Sequence, residues 1–267
     1  FTAVFSHGNE IISETPLTVD SIGPAIRTTI HPPIFSPDGD GDNDTLFVGT
    51  DIDDTSGVED WKISVLPLVD DKLGTNAFKT WKGKNAYREL ITWDGYGDEA
   101  PAGSKDDKYL VESASDYAIV VTAKDKLGNT ITTKPELFKV DILVIRTPYG
   151  YKIRISSIQF DYNSADVKAK YEPILTRLAQ VLNKFKQHAV KIEGHTDMVG
   201  PDKYNNELSL KRASSVLSYL VERGLERKRF TAEGVGKQRP LFEEKADDPV
   251  LEEHRARNRR VEFYLKK

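Results

Sequence analysis

The hydrophobic rhythm of the chain changes near its middle. Over about residues 26–146 apolar and polar positions alternate in short runs. Trp61-Lys62-Ile63-Ser64-Val65 is one such run, with the period of two that marks a strand with one buried face. Tyr117–Ala123 is another β-rich run; Lys126-Leu127-Gly128-Asn129 supplies turn chemistry, and Thr130–Thr133 reads as the returning strand. No helical period interrupts these runs, which predicts a β-sandwich of roughly 100–120 residues.

From Tyr151 onward the two periods alternate. Tyr151–Phe160 reads as a strand. Ala165–Gln187 then carries Val167, Tyr171, Ile174, Leu175, Leu178, Val181, Leu182 and Phe185 at spacings of three and four, one apolar face of a helix of about six turns. Ala189–Gly194 is a strand. Tyr204–Arg223 is a second amphipathic helix, through Leu208, Val216, Leu217, Leu220 and Val221, ended by Gly224. Phe230–Gly234 and Arg260–Leu265 are further strands. A βαβαβ order with short connections predicts an α/β fold, a mixed sheet with helices on one face. The expected fold class is multidomain, with an all-β sandwich over 26–146 followed by an α/β domain over 147–267.

The first 25 residues echo the end of the sandwich. Phe1–Phe5, a turn at His7-Gly8-Asn9, Ile11-Ile12-Ser13 and Leu17-Thr18-Val19-Asp20 parallel Tyr117–Ala123, Gly128-Asn129 and Phe138-Lys139-Val140-Asp141. Residues 1–25 are therefore expected to be the C-terminal remnant of a preceding β domain, with sequence upstream of Phe1. Chance likeness between two hairpins is the plainer alternative.

Composition sharpens the division. Residues 1–150 carry 14 Lys+Arg against 25 Asp+Glu, and residues 151–267 carry 24 against 17, although the whole chain sums to −4. Such a break suggests two domains with different partners. A basic half suits nucleic acid, anionic lipid or an anionic wall polymer, or simply solvates its lysines. No aromatic stacking platform interleaves Asn258-Arg259-Arg260, which argues against nucleic acid. The absence of cysteine excludes disulfides, thiolate metal sites and thiol nucleophiles. No apolar run reaches 18 residues, so no transmembrane helix is expected.

One acidic loop stands out, Phe35-Ser36-Pro37-Asp38-Gly39-Asp40-Gly41-Asp42-Asn43-Asp44. Asp38, Asp40, Asp42 and Asp44 alternate with residues that permit a tight wrap, a pattern suited to calcium, which takes six to eight oxygen ligands. An Asx-turn loop with no metal is the other reading. This loop, with Trp93-Asp94-Gly95 and with Tyr117 leading to Asp125 and Gly128-Asn129, resembles the immunoglobulin-like modules of bacterial surface and flagellar-hook-cap proteins. The resemblance implies a spacer or adhesive role without catalysis.

In the basic half, four segments carry a second resemblance. They are Phe160-Asp161-Tyr162-Asn163, Glu193-Gly194-His195-Thr196-Asp197-Met198-Val199-Gly200, Tyr204-Asn205-Asn206-Glu207-Leu208-Ser209-Leu210-Lys211-Arg212-Ala213 and Arg255-Ala256-Arg257-Asn258-Arg259-Arg260-Val261-Glu262. Over about 150–267 the chain resembles the OmpA C-terminal-like peptidoglycan-binding family. The resemblance implies non-catalytic tethering of the cell envelope to the peptidoglycan stem peptide, in the periplasm of an outer-membrane-bearing cell, with other envelope proteins as further partners. It implies Asp197 and Arg212 as a clamp for the zwitterionic end of a diaminopimelate-type residue, with Asn163, Asn205 and Arg260 as supporting wall residues. The chemistry agrees: a carboxylate takes an ammonium, a guanidinium takes a carboxylate through two hydrogen bonds, and the start of a helix adds N–H donors.

Two alternatives stand beside that reading. Asp197 and Arg212 could pair only with each other. The stretch Pro240–His254 is acidic, longer than the family pattern and without its Asn-x-Thr, which suits a divergent scaffold that has lost diaminopimelate binding and serves a structural or protein-interaction role. His195 has no serine, cysteine or metal-spaced second histidine beside it and reads as a loop anchor, so no enzyme is expected.

Overall fold

The computed structural model describes residues 2–4, 10–12, 20–69, 71–98, 109–155, 158, 160, 164–247 and 251–266. β1 (Thr2–Val4) and β2 (Glu10–Ile12) pair antiparallel as a separate hairpin, with Ala3 opposite Ile11. The run Leu17–Val19 of the expected remnant lies outside the described residues.

Two sheets enclose the first core. β3 (Ala25–His31), β5 (Leu46–Asp53) and β9 (Tyr87–Trp93) form a three-stranded antiparallel sheet. Against it lie β4 (Ile34–Phe35), β12 (Glu136–Val140), β10 (Asp116–Asp125), β6 (Val58–Val69) and β7 (Lys72–Leu73) in that order, with β8 (Lys79–Lys84) beside β6 and β11 (Thr130–Thr132) beside β10. The alternation seen in sequence does what its period requires. Trp61, Ile63 and Val65 of β6, Ile119 and Val121 of β10, and Leu46, Val48 and Ile52 of β5 are buried together. Aromatic rings fill the centre: Phe35 lies 5.5 Å from Trp93, and Tyr117 stacks on Phe138 at 5.7 Å.

The second core belongs to a five-stranded mixed sheet in the order β13 (Ile145–Thr147), β14 (Gly150–Ile155), β17 (Val261–Lys266), β15 (Ala189–His195) and β16 (Phe230–Gly236). Only β15 and β16 run parallel. α1 (Glu172–Lys184) and α2 (Asp202–Glu222) cover one face, burying Leu175, Leu178, Leu182, Val216 and Leu220 against Ile153, Ile155, Ile192 and Phe263. The opposite face carries charge.

Two expectations need correction. The long helix over 165–187 starts only at Glu172, after a 3₁₀ turn at Ala169–Tyr171, with no helix over 164–168. Pro173 is the reason, because a residue without an N–H and with a fixed φ belongs in the first turn and nowhere deeper. Val167 still packs on the core from the extended segment, which is why the apolar period ran past the helix. The structure also adds α3 (Leu251–Asn258), which starts at the end of the acidic stretch and runs into the Arg-rich segment.

The two layers share a seam. Ala114 and Val144 pack on the α/β core and Ile145 on the sandwich core. Arg177 of α1 donates to both carboxylate oxygens of Asp141, at 3.0 and 2.6 Å.

Candidate functional site

The site forms where β15 ends. Thr196 is the last residue tied to the neighbouring strand, its N–H donating to Gly236 O at 2.9 Å, and the chain then turns into α2. α2 lies close on the strand ends because Gly194 and Gly234 have no Cβ. A Cβ at Gly194 would strike Ser209 O, and one at Gly234 would strike Asn206 O. Ser209 Oγ locks the crossing, donating to Asn206 O at 3.0 Å and accepting from the Gly236 N–H at 2.9 Å.

Asp197 is the first side chain beyond this junction. Its Oδ1 accepts the Val199 N–H at 3.2 Å, and its Oδ2 accepts Arg259 Nη1 at 2.9 Å. Arg259 Nη2 donates to Glu252 Oε1 at 2.9 Å. Burial acts against the charge on Arg259, but its bonds to Asp197 and Glu252 outweigh that and hold its pKa above the ordinary value. Arg212, on α2, is buried, with Nε donating to Ser164 O at 3.3 Å and its guanidinium 5.0 Å from the centre of the Phe160 ring. Burial lowers its pKa, the positive charge of Arg259 lowers it further, and Asp197 opposes both. One carboxylate and two guanidiniums therefore act on one another at the mouth of the β15–α2 turn.

The expected residues divide. Asp197 and Arg212 come together. Asn205 is buried beneath the turn, its Nδ2 donating to Val199 O at 3.0 Å and Gly200 O at 3.4 Å, so it braces the segment that carries Asp197. Asn163 lies outside the described residues. Arg260 is turned away: Nε donates to Glu262 Oε1 at 2.9 Å, Nη1 to Asn258 O at 3.3 Å and Nη2 to Arg239 O at 3.0 Å. Consecutive residues entering a strand point to opposite faces. Arg259, in step with Val261, reaches Asp197, whereas Arg260, in step with Glu262, joins the charged face. Of the pair, Arg259 rather than the expected Arg260 reaches Asp197, and the alternation into β17 is the signal that separates them.

Among the described residues of the acidic stretch, Glu243, Glu244 and Glu252 are each engaged by partners. Glu243 pairs with Lys245, and Glu252 with Arg255 and Arg259. Glu244 is buried and accepts the Met198 N–H at 3.0 Å, Asn258 Nδ2 at 2.8 Å and Arg255 Nε at 3.2 Å. Phe242 turns into the seam with the sandwich, 5.3 Å from Tyr109.

Behind the sheet, Glu193, His195 and Glu262 bring ligand-type atoms within 4.8 Å of one another and are all buried. They do not fit a metal. Glu193 is engaged by Lys191 and by Arg239 at 3.0 Å, and Glu262 by Arg260 at 2.9 Å, Lys152 at 2.9 Å and Tyr264 Oη at 2.6 Å. Four cations already face two carboxylates, and a further divalent charge would be repelled. Burial, then Arg260, pushes the His195 pKa down to about 3, so its ring is neutral.

In the sandwich, Asp38, Asp40 and Asp44 also bring carboxylate oxygens within 4.8 Å of one another, and Asp42 is not in that group. Asp44 accepts the N–H groups of Gly39 and Gly41, each at 2.7 Å, and Asp38 accepts those of Val144 at 3.0 Å and Asp40 at 3.3 Å. Burial, then Asp40 and Asp44, raises the Asp38 pKa. Hard oxygens that no cation among the described residues pairs with fit calcium chemistry. A second acidic trio, Asp20, Asp54 and Asp125, was not anticipated; Asp125 there is occupied by Asn129 and the backbone of its own turn.

Comparison with known proteins places this geometry. Residues 159–257 match the OmpA family. A photosystem I P700 chlorophyll a apoprotein A2 of Gloeobacter violaceus is 38% identical over 111 residues, 41% of this chain and 13% of that protein. Outer membrane porin F of Pseudomonas fluorescens is 36% identical over 116 residues, 43% of this chain and 34% of that one. The peptidoglycan-associated lipoprotein of Mesorhizobium japonicum is 38% identical over 84 residues, 32% of this chain and 50% of that one. The chain thus spans half or less of the length of these curated relatives. The part of the α/β layer within residues 159–257, which holds α1, β15, the turn with Asp197, α2 with Arg212, and β16, is an OmpA family domain.

Proposed function

We propose that this protein tethers the cell envelope non-covalently to peptidoglycan and performs no catalysis. The domain over 159–257 supports this, together with the printed name of a relative, a peptidoglycan-associated lipoprotein. The observation that carries it is Asp197 held by Arg259 at the β15–α2 turn, with Arg212 of α2 near enough for its charge to act on both. The ligand is the zwitterionic end of a diaminopimelate-type stem residue. Its ammonium takes the remaining lone pairs of Asp197, and its carboxylate takes the guanidinium of Arg212. The setting is the periplasm, next to the outer membrane. Among the described residues no helix is long and apolar enough to cross a membrane.

The sandwich serves as an immunoglobulin-like spacer in this reading. Tyr117, at the start of β10, supports it: its hydroxyl accepts the N–H of Glu112, five residues upstream, at 3.0 Å, the corner contact of such sandwiches. Calcium at Asp38, Asp40 and Asp44 completes the proposal.

One observation favours a second reading, a scaffold that no longer binds diaminopimelate. Asp197 Oδ2 is already taken by Arg259, which Glu252 also holds. Pelleting with purified sacculi separates the two. The tether reading expects the chain to sediment with sacculi and Asp197→Ala and Arg212→Ala each to release it at least about tenfold. Sedimentation indifferent to both substitutions rejects the clamp and leaves the scaffold.

A further inference from the structure

Met198 and Val199, which follow Asp197, are 42% and 55% exposed. Burial of their side chains does not hold the turn, so its position depends on polar contacts to its backbone. The Met198 N–H donates to Glu244 Oε1, and the same oxygen accepts from Asn258 Nδ2. Met198 is covalently next to Asp197, and Asn258 is covalently next to Arg259. The Asp197–Arg259 ion pair closes the ring. The acid and the arginine are therefore joined twice, directly through their side chains and indirectly through Glu244. A ligand ammonium that draws Asp197 away from Arg259 loosens the first tie and leaves the second intact.

Glu244 is itself anchored from behind. Its side chain is 3% exposed, a burial that a carboxylate tolerates only with partners, and Arg255 supplies the remaining one through Oε2. Asn258 fixes the stem of the loop: its Oδ1 accepts the N–H groups of Leu241 and Phe242 at 2.8 and 3.0 Å, and its Nδ2 donates to Phe242 O at 2.9 Å. Phe242 then stacks on His254 at 4.5 Å and meets Tyr109 edge-on. The Arg257 guanidinium lies 5.5, 5.3 and 5.7 Å from the ring centres of Phe242, Tyr109 and Phe78. Tyr109 and Phe78 belong to the sandwich side of the seam.

We infer that Glu244 is a positioning residue for the wall site, and that its loop uses the sandwich as the fixed support on which that site is held. The inference rests on the proposed tether function. It gives the acidic stretch, which departs from the family pattern, the task of holding Asp197 and Arg259 in register.

The test is calorimetric titration of the whole chain with meso-diaminopimelate, joined to hydrogen exchange of the Met198 amide. Glu244→Ala is expected to weaken binding about tenfold and to speed exchange at Met198. Glu244→Gln keeps an oxygen for Met198 and Asn258 while losing the Arg255 contact, and is expected to stay within about threefold of the wild type. Phe242→Ala is expected to speed Met198 exchange and weaken binding about threefold. Arg177→Ala, which cuts a seam ion pair away from the loop, lowers stability and leaves both readouts unchanged. Wild-type affinity in Glu244→Ala, or equal loss in the alanine and glutamine variants, overturns the positioning role. An unchanged Phe242→Ala overturns the support by the sandwich. If the wild type binds neither diaminopimelate nor sacculi, the tether reading fails separately, and Met198 exchange that ignores Glu244→Ala then overturns the positioning role as well.

Discussion

Two groups of three side chains in this molecule share an outline and obey opposite physics. Glu193, His195 and Glu262 lie behind the five-stranded sheet, and Asp38, Asp40 and Asp44 lie at the edge of the sandwich; in each, ligand-type atoms fall within 4.8 Å of one another. The first group is ringed by Lys152, Lys191, Arg239 and Arg260. The second is satisfied by backbone N–H groups, which supply partial charge only. The pKa directions follow. Burial alone would raise Glu262, but Arg260, Lys152 and His195 hold it well below the carboxylate range, whereas burial and its acidic neighbours raise Asp38. Converging carboxylates are not a metal site by themselves; the cations already present decide.

The most damaging way to break the contrast is Glu262→Gln. It leaves Arg260 and Lys152 facing a neutral partner in a buried place and is expected to cost about 3 kcal/mol in denaturant unfolding. A loss below about 1 kcal/mol would mean that the cations find other partners.

Acid acts next. With its pKa at about 3, folded His195 refuses a proton that the unfolded chain accepts at about 6.5. Within that window the unfolded state binds more protons, so stability falls as pH falls, by up to about 1.4 kcal/mol per pH unit from this residue. His195→Gln should flatten the slope. Asp38 has the opposite sign: its contribution is full below about 3.8 and is lost as pH rises through its raised folded value.

Calcium sharpens the other side. At a hundredfold excess over its dissociation constant it would stabilise the fold by about 2.7 kcal/mol, a rise of several degrees in Tm, and Asp44→Asn should abolish the rise. A melting curve indifferent to millimolar calcium would reduce the loop to an Asx-turn. The smallest effect belongs to the exposed acid that pairs with Arg259. Glu252→Gln frees one side of Arg259 and should change diaminopimelate affinity by no more than about threefold, read by calorimetry.

Much of this was legible in sequence because local period determines it. The faces of β6, β10, α1 and α2 follow from spacing, and Arg212 sits on the buried face of the helix that follows Asp197. What was not legible depends on contacts distant in sequence or on a single backbone atom. Pro173 delays α1 through its missing N–H, although the apolar spacing continues upstream. Arg259 and Arg260 are chemically identical and separated only by strand phase. Glu244 reaches Met198 across 46 positions, so its buried role cannot be read from a stretch whose composition resembles a solvated acidic loop.

Among the described residues Asp197 accepts from Val199 and Arg259, which leaves lone pairs for a ligand ammonium. An NMR titration of the whole chain with meso-diaminopimelate, following the Val199 amide that donates to Asp197 Oδ1, tests that binding most directly. A saturating shift of that amide, lost in Asp197→Ala together with binding measured by calorimetry, is the predicted result. A Val199 amide that stays in place at saturating ligand, while sacculi still bind, would contradict the clamp.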